Sequence, residues 1–309
     1  MNRLNLDKTK LRGELKENEP LSNYTSWRIG GPVDYLYRPA DMADLNLFLS
    51  MLPANEVVHW LGLGSNTLVR DGGIRGTVII IQGLLKELKQ LDETRVSAEA
   101  GLACGQVARF CARLGLRGLE FFAGIPGTVG GALRMNAGAY GGETWDYVES
   151  VEVITRQGKH IIRRPLDYQI GYRYVMSPEE EWFVRVTFKL NPGDVHEAQD
   201  YIRTMLAKRN ASQPTNLPNG GSVFRNPPGD YAARLIEASG LKGYRSRGAC
   251  VSEKHANFIV NDEGACAADI EMLIGHVAQV VFEKQSIQLV REVHIIGESK
   301  SPFEQSSQA

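Results

Sequence analysis

Gly124-Ile125-Pro126-Gly127-Thr128-Val129-Gly130-Gly131 and Asn136-Ala137-Gly138-Ala139-Tyr140-Gly141-Gly142 form one glycine-rich block near the middle of the chain. A shorter block, Gly62-Leu63-Gly64-Ser65-Asn66, is followed by Gly72-Gly73. The chain has 32 glycines in 309 residues, which exceeds the roughly 7% of average proteins. No repeat or low-complexity tract accounts for the surplus. We therefore expect these glycines to serve particular loops.

Dense glycines allow successive backbone N–H groups to converge on one anion, such as a pyrophosphate. The alternative is a set of tight turns, but both blocks also carry Ser, Thr or Asn donors. Neither block is a Rossmann fingerprint, because Thr67 stands where a third glycine would fall and no helical pattern follows it. The chain also lacks the G-K-[ST] of a P-loop. The residues predict a dinucleotide-like ligand held by loops rather than by a Rossmann helix.

Composition excludes several classes of protein. The formal net charge is −1 and the isoelectric point is near 6.6, which argues against nucleic acid or anionic lipid as a partner. The four cysteines form no C-x-x-C pair, and the histidines are scattered, so we expect free thiols and no structural zinc. The N-terminus does not resemble a signal peptide, and no apolar run reaches a membrane-spanning length. These features predict a cytoplasmic protein with no membrane association.

Hydrophobic periodicity predicts alternating helices and strands before residue 142 and antiparallel strands after it. The predicted helices are 41–52, with Asp41 as its cap, 106–114, 195–209, 231–239 and 267–284. The predicted strands are 57–61, 77–81, 147–155, 160–164, 182–190, 257–260 and 287–296. The turn Arg156-Gln157-Gly158-Lys159 predicts a hairpin over 147–164, and apolar residues alternate along 182–190. The Pro/Gly/Asn-rich stretch 213–229 is the best candidate for a domain boundary.

Motifs spread over nearly the whole chain resemble the UDP-N-acetylenolpyruvoylglucosamine reductase family, in its shorter subtype. They are Thr25-Ser26-Trp27-Arg28-Ile29-Gly30-Gly31-Pro32, Leu63-Gly64-Ser65-Asn66, the 124–142 block, Gly171-Tyr172-Arg173-Tyr174, Gly220-Gly221-Ser222-Val223-Phe224-Arg225-Asn226-Pro227, Leu241-Lys242-Gly243, Ser252-Glu253-Lys254-His255-Ala256-Asn257-Phe258 and Glu292-Val293 before Gly297. The resemblance implies an α+β fold, with a two-part PCMH-type FAD-binding domain followed by a smaller α+β substrate-binding domain. We expect an N-terminal extension at 1–20, the FAD domain at 21–192, the substrate domain at 205–298 and a disordered tail at 299–309.

The resemblance also implies an activity. It predicts an NADPH-dependent flavoenzyme that reduces the enolpyruvyl group of UDP-N-acetylenolpyruvoylglucosamine to give UDP-N-acetylmuramate for peptidoglycan synthesis. FAD is expected to bind noncovalently, since no His or Cys occurs from Gly62 to Gly73. The nucleotide-sugar substrate is a small molecule, and we expect no obligate protein partner.

Three residues match the family's catalytic positions: Arg173 as the stabilising cation, Ser222 as the proton donor and Glu292 as a partner acid. Without the family, Arg173 is equally consistent with a surface strand arginine, whereas the sequence alone favours a turn serine at 222 and an exposed strand carboxylate at 292. Tyr172 and Asn226 match substrate-binding positions, and weaker candidates are Gln213, Lys242, His255 and Asn257. The expected cofactor-binding residues are Gly62, Gly64, Ser65, Asn66, Gly124, Ile125, Pro126, Gly127, Thr128, Gly130, Gly131, Asn136, Ala137, Gly138 and Tyr140.

One position departs from the family pattern, because Val175 replaces the serine of Tyr-Arg-x-Ser. Two rival functions remain at this point. One is another FAD-dependent oxidoreductase of the same fold, which would not need Ser222 and Glu292 in these contexts. The other is a noncatalytic nucleotide-sugar binding protein without flavin, which would not need the glycine blocks.

Overall fold

The computed structural model describes residue 4 and residues 6–300. Its helices are α1 (Met42–Met51), α2 (Cys104–Arg113), α3 (Val129–Met135), α4 (Val195–Ser212), α5 (Ala232–Ala238) and α6 (Ala267–Gln285). Its strands are β1 (Glu14–Pro20), β2 (Pro32–Arg38), β3 (Val58–Leu61), β4 (Thr67–Val69), β5 (Ile74–Ile80), β6 (Leu88–Gln90), β7 (Arg95–Glu99), β8 (Leu116–Arg117), β9 (Gly138–Ala139), β10 (Gly142–Glu143), β11 (Val148–Thr155), β12 (His160–Arg163), β13 (Gln169–Gly171), β14 (Tyr174–Met176), β15 (Glu181–Lys189), β16 (Asn191–Pro192), β17 (Arg245–Ser246), β18 (Ala249–Val251), β19 (Ile259–Asn261) and β20 (His294–Ile296). Both element types are abundant, and the α+β class is confirmed.

The described residues divide into two compact units, and neither is continuous in sequence. The first unit comprises 4 and 6–16, Leu36–Leu63 and Thr77–Lys208. The second comprises Glu17–Tyr35, Gly64–Gly76 and residues 209–300.

The first unit is built on a five-stranded antiparallel sheet in the order β12–β11–β15–β7–β6. The predicted hairpin at 147–164 and the alternating strand at 182–190 are confirmed as β11, β12 and β15. Phe188 points from β15 into a core where its ring meets Phe122 edge to face, with centroids 5.6 Å apart. Such a pair adds about 1 kcal/mol beyond the burial of its rings.

Short local signals explain the helix boundaries of this unit. The predicted cap of α1 is confirmed, because the Asp41 carboxylate accepts a 2.9 Å hydrogen bond from the N–H of Asp44.

Cys104 and Cys111 lie on the buried face of α2, and burial raises the pKa of the Cys111 thiol to about 12. All four cysteines are free, as predicted.

The second unit packs α5 and α6 with the antiparallel sheet β17–β18–β19. Trp27 is fully buried in its core, and its indole N–H donates to the carbonyl of Ile259 at 2.9 Å. β20 pairs in parallel with β4, so that His294 lies opposite Thr67. None of the helices in the described part of the chain is long and apolar enough to cross a bilayer.

Two sequence-based expectations were wrong. The predicted strand 287–296 is regular only over β20, because the preceding residues find one isolated bridge, Phe224 with Arg291, rather than a continuous ladder. The large glycine block is also not purely a loop, since α3 begins within it. Thr128 caps this short helix by accepting a 3.3 Å hydrogen bond from the N–H of Gly131.

Candidate active site

Arg173 lies at the tip of a β-hairpin in the first unit. β13 and β14 pair with Gly171 opposite Tyr174, which leaves Tyr172 and Arg173 as a two-residue turn. Tight hairpin turns of this length favour positive φ, and Arg173 has a φ of 56°. A non-glycine residue in this region costs about 1–2 kcal/mol. The surrounding contacts must therefore hold the arginine in place.

The guanidinium of Arg173 is fixed by the glycine block. Its Nη2 donates to the carbonyl of Gly138 at 2.7 Å, and its Nη1 donates to the carbonyl of Asn136 at 3.4 Å. The guanidinium carbon also lies 4.8 Å from the centroid of the half-exposed Tyr172 ring. These contacts give the unit a permanent positive charge in a defined position.

Asn136 connects this hairpin to the glycine block. It is buried, ends α3 with a φ of 40°, and uses both ends of its side-chain amide. The amide nitrogen donates to the Glu143 carboxylate at 2.8 Å and to the carbonyl of Gly171 at 3.1 Å. The amide oxygen accepts from the N–H of Trp145 at 3.1 Å. Asn136 thus sets the shape of the loop that Arg173 contacts.

The two glycine blocks meet in the first unit at Gly62 and Thr128. A Cβ at Gly62 would overlap the Thr128 hydroxyl, so the close approach of these segments requires glycine. Beside them, Gly131 is exposed, and among the described residues a Cβ placed there would meet only the Thr128 hydroxyl, at 3.6 Å. This open backbone surface next to a hydroxyl fits a phosphate-bearing cofactor, because a ligand can approach without meeting a side chain.

The other residues of the large block shape its surface. Tyr140 and Gly141 form a second two-residue turn, between β9 and β10, with φ values of 53° and 87°. The Tyr140 ring is half exposed, and its hydroxyl donates to the carbonyl of Met205 at 3.4 Å. The remaining expected cofactor residues of this block are half-buried or buried apart from the exposed Pro126, namely Gly124, Ile125, Gly127, Gly130, Ala137 and Gly138.

Ser222 and Glu292 lie on two antiparallel segments of the second unit. The N–H of Glu292 donates to the carbonyl of Val223 at 2.8 Å, Phe224 bridges Arg291, and the N–H of Arg225 donates to the carbonyl of Val290 at 2.9 Å. The structure therefore pairs the backbone of the two segments that carry these predicted residues. Both Ser222 and Glu292 are half-buried.

The loop Gly64-Ser65-Asn66 lies against the same segments. The Asn66 amide donates to the carbonyl of Glu292 at 3.2 Å, and the carbonyl of Asn66 accepts from the N–H of His294 at 3.0 Å. A Cβ at Gly221 would lie 3.9 Å from the carbonyl oxygen of Ser65. Predicted cofactor residues and predicted catalytic residues thus share one corner of the second unit.

The weaker candidates have structural partners. Gln213 accepts from Arg209, and Lys242 pairs with Glu237 at 2.9 Å. Asn226, a predicted substrate-binding residue, is exposed and accepts from the N–H of Ala232 at 3.1 Å. Burial lowers the pKa of His255, whose ring faces Phe258.

Val175, at the position of the missing family serine, is buried in the core of the first unit. Because it is buried, the side chain at 175 acts in packing. Its backbone carbonyl accepts a hydrogen bond from the Arg134 guanidinium. The neighbouring Tyr174 is half exposed and donates to the Met176 sulfur at 3.2 Å.

Two further polar residues are hydrogen-bonded to the backbone near Ser222. Asn219 accepts from the N–H of Gly221 at 2.9 Å, and Asn257 is hydrogen-bonded to Phe224. Asn257 was only a weak candidate and Asn219 was not singled out. The signal available for both was their position within or beside a recognised motif.

Comparison with known proteins agrees with this geometry. An FAD-binding-domain family matches residues 33–162, and the C-terminal domain of UDP-N-acetylenolpyruvoylglucosamine reductase matches residues 213–296. A reductase of that name from Alkalilimnicola ehrlichii is 56% identical over 94% of this chain and 97% of its own. Another, from Legionella pneumophila, is 55% identical over 94% and 95%. The crystal structure of the reductase from Thermus caldophilus superposes with a TM-score of 0.78 at 32% identity, covering 93% of this chain and all of that one.

Proposed function

The chain belongs to the UDP-N-acetylenolpyruvoylglucosamine reductase family, and from that premise we propose that Arg173, Ser222 and Glu292 carry its reaction. It is an FAD- and NADPH-dependent oxidoreductase of peptidoglycan synthesis. Its reaction converts UDP-N-acetylenolpyruvoylglucosamine to UDP-N-acetylmuramate. The two rival functions are not favoured, since similarity to these reductases covers nearly the whole chain.

FAD, when bound, supplies the hydride chemistry that links NADPH to the enolpyruvyl group. The residues proposed to hold it are those of the two glycine blocks. The tight contact of Gly62 with Thr128 and the open backbone at Gly131 support this assignment. Gly64, Ser65 and Asn66 complete the proposed set, and Gly64 has the positive φ of 63° that favours glycine.

The chemistry of the substrate defines what the protein must provide. Addition of hydride to the terminal methylene carbon leaves negative charge on the neighbouring carbon and its carboxylate. A fixed donor stabilises that charge, and an acid must deliver a proton to carbon. Arg173 is proposed for the first task, because a guanidinium stays charged and can grip a carboxylate through two N–H groups.

Ser222 is proposed to deliver the proton, and Glu292 to act as its partner acid. A serine hydroxyl is a poor acid by itself, so it requires polar groups at a fixed distance. The 2.8 Å hydrogen bond between the N–H of Glu292 and the carbonyl of Val223 is the observation that carries this proposal. It holds the two segments in a register where residue 292 lies opposite the neighbour of Ser222.

Tyr172 and Asn226 are proposed to contact the UDP-sugar. Tyr172 is 45% exposed, at the tip of the hairpin that carries Arg173, and Asn226 is also exposed. We further propose that the reaction takes place in the cytoplasm, with no protein partner required. Four free cysteines suit a reducing compartment.

An anaerobic redox cycle tests the function as a whole. We expect the purified protein to be yellow, to release FAD on denaturation, to bleach with NADPH and to regain its colour with UDP-N-acetylenolpyruvoylglucosamine. Bleaching of the oxidised flavin by simple alcohols or sugars, with no return of colour from the NADPH-reduced protein on addition of this substrate, would favour another flavin oxidoreductase. A colourless protein that FAD does not reconstitute would favour the noncatalytic alternative.

A further inference from the structure

Asn257 is hydrogen-bonded to the backbone segment that directly follows Ser222. Its side-chain amide nitrogen donates to the carbonyl of Phe224 at 2.8 Å, and its amide oxygen accepts from the N–H of Phe224 at 3.0 Å. Its own carbonyl accepts from the N–H of Val223 at 2.9 Å. Three hydrogen bonds therefore join one residue to two consecutive residues of the segment.

Burial makes these hydrogen bonds restrictive. Asn257 is 3% exposed, and Phe224 is 2% exposed. A buried backbone group that loses its partner is left without a hydrogen bond to protein or water, so the segment cannot shift without replacing these bonds. The amide of Asn257 thus makes, on that side of the segment, the two backbone hydrogen bonds that a paired strand would make.

The opposite side of the same segment faces Glu292. The carbonyl of Val223 accepts from the N–H of Glu292, while the N–H of Val223 donates to Asn257. The segment that begins with Ser222 is therefore held from both sides, by the segment that carries the partner acid and by one asparagine. We propose that Asn257 is a positioning residue that sets the placement of Ser222 for proton delivery. This inference rests on the proposed role of Ser222.

The test compares the two half-reactions in the FAD-loaded protein. Asn257→Leu keeps the side-chain size and the backbone carbonyl but removes both amide contacts. We expect reduction by NADPH to be unchanged and the limiting rate of reoxidation by UDP-N-acetylenolpyruvoylglucosamine to fall about a hundredfold, because a displacement of about 1 Å can have that effect. The substrate concentration at half-saturation should stay the same. A merely structural role would lower protein stability or flavin content without separating the half-reactions.

Asn261→Leu is the matched control. Its amide also bonds two backbone groups of the second unit, the carbonyl of Trp27 at 3.1 Å and the N–H of Ala265 at 2.9 Å, but neither belongs to the Ser222 segment. It should leave the reoxidation rate unchanged. Asn257→Asp provides a milder variant if the leucine protein fails to fold. Its carboxylate keeps the acceptor for Phe224 and loses the donor, so reoxidation should slow by an intermediate factor.

A double variant separates failure of this inference from failure of the proposed function. If Asn257 acts through Ser222, Ser222→Ala with Asn257→Leu should reoxidise no more slowly than Ser222→Ala alone. Slow reoxidation in Ser222→Ala combined with normal reoxidation in both Asn257 variants would overturn the positioning role alone. Normal reoxidation in Ser222→Ala would overturn the role of Ser222 itself. Multiplying effects in the double variant would show that Asn257 acts elsewhere.

Discussion

Glu292 and Val223 share a backbone hydrogen bond of 2.8 Å, which fixes the register between the segment of the acid and the segment of Ser222. Asn66 of the smaller glycine block donates to the carbonyl of the same Glu292. The backbone of Glu292 thus joins a proposed cofactor loop to the residue that follows the proposed proton donor. Cofactor binding and proton delivery are tested by separate substitutions, the first in the glycine blocks and the second at Ser222.

Gly131→Ala should separate a structural role of the glycine block from a cofactor role. Gly131 lies within α3, where alanine is favoured over glycine by about 1 kcal/mol, and the added Cβ has room in the protein alone. We expect the flavin-free protein to become slightly more stable and FAD to bind more weakly. Thermal unfolding of the flavin-free protein and an FAD titration measure the two effects.

Gly275→Ala is the control for that experiment. It lies within α6. Apart from its two chain neighbours and the nearby backbone of the same helix, no described heavy atom comes within 4 Å of the added Cβ. It should raise stability without changing FAD affinity. Equal FAD affinity in the wild type and in Gly131→Ala would exclude the proposed approach of the cofactor at that backbone.

Arg173→Lys should slow reoxidation by the enolpyruvyl substrate while preserving much of the charge. A lysine cannot reproduce the planar fork that donates to the carbonyl of Gly138, and it cannot grip a carboxylate through two N–H groups. We expect a loss of about a hundredfold to a thousandfold in the limiting rate, as for removal of a preorganised donor. Stopped-flow absorbance of the flavin gives the rate. Arg203→Lys, on an exposed arginine of α4, should react normally, and a normal rate in Arg173→Lys would remove Arg173 from this role.

Asp44→Asn should destabilise the protein at neutral pH and less so in acid. Burial by itself would raise the pKa of Asp44, but hydrogen bonds from the Tyr37 hydroxyl at 2.6 Å and the N–H groups of Arg12 and Ala40 bring the pKa below its ordinary value. The carboxylate therefore contributes stability above the unfolded-state pKa of about 3.9, and that contribution is lost as the pH falls through the lower folded value.

Denaturant unfolding at pH 7 and near pH 3.5 checks this sign. We expect Asp44→Asn to cost about 2 kcal/mol at pH 7, with a smaller difference from wild type at the lower pH. Asp200→Asn, on an exposed carboxylate of α4, should cost little at either pH. A difference for Asp44→Asn that grows toward acid would contradict the lowered pKa.

Patterns among adjacent residues predicted several elements of the fold correctly. The alternation in 182–190 and the turn at Arg156-Gln157-Gly158-Lys159 gave β15 and the β11–β12 hairpin, and Asp41 marked the start of α1. The strand predicted at 287–296 was mostly wrong. The residues before β20 form one isolated bridge, Phe224 with Arg291, rather than a continuous ladder.

The site residues were harder to derive from the chain alone. Nothing local distinguishes Ser222 from a turn serine after two glycines, and its opposition to the segment of Glu292 depends on long-range pairing. Family resemblance supplied both residues. The contacts of Asn257 were hard to predict for the same reason, since its amide is hydrogen-bonded to the buried backbone of Phe224, which is distant in sequence.

The role of Ser222 as proton donor is best measured as the anaerobic reoxidation rate of NADPH-reduced Ser222→Ala by UDP-N-acetylenolpyruvoylglucosamine. Ser50→Ala, on an exposed serine of α1, serves as the control. We expect Ser222→Ala to bind FAD and to be reduced by NADPH normally, but to reoxidise more slowly by about 10²–10⁴-fold, the usual contribution of a positioned acid. Reoxidation of Ser222→Ala at the rate of the wild type and of Ser50→Ala would exclude Ser222 as the proton donor.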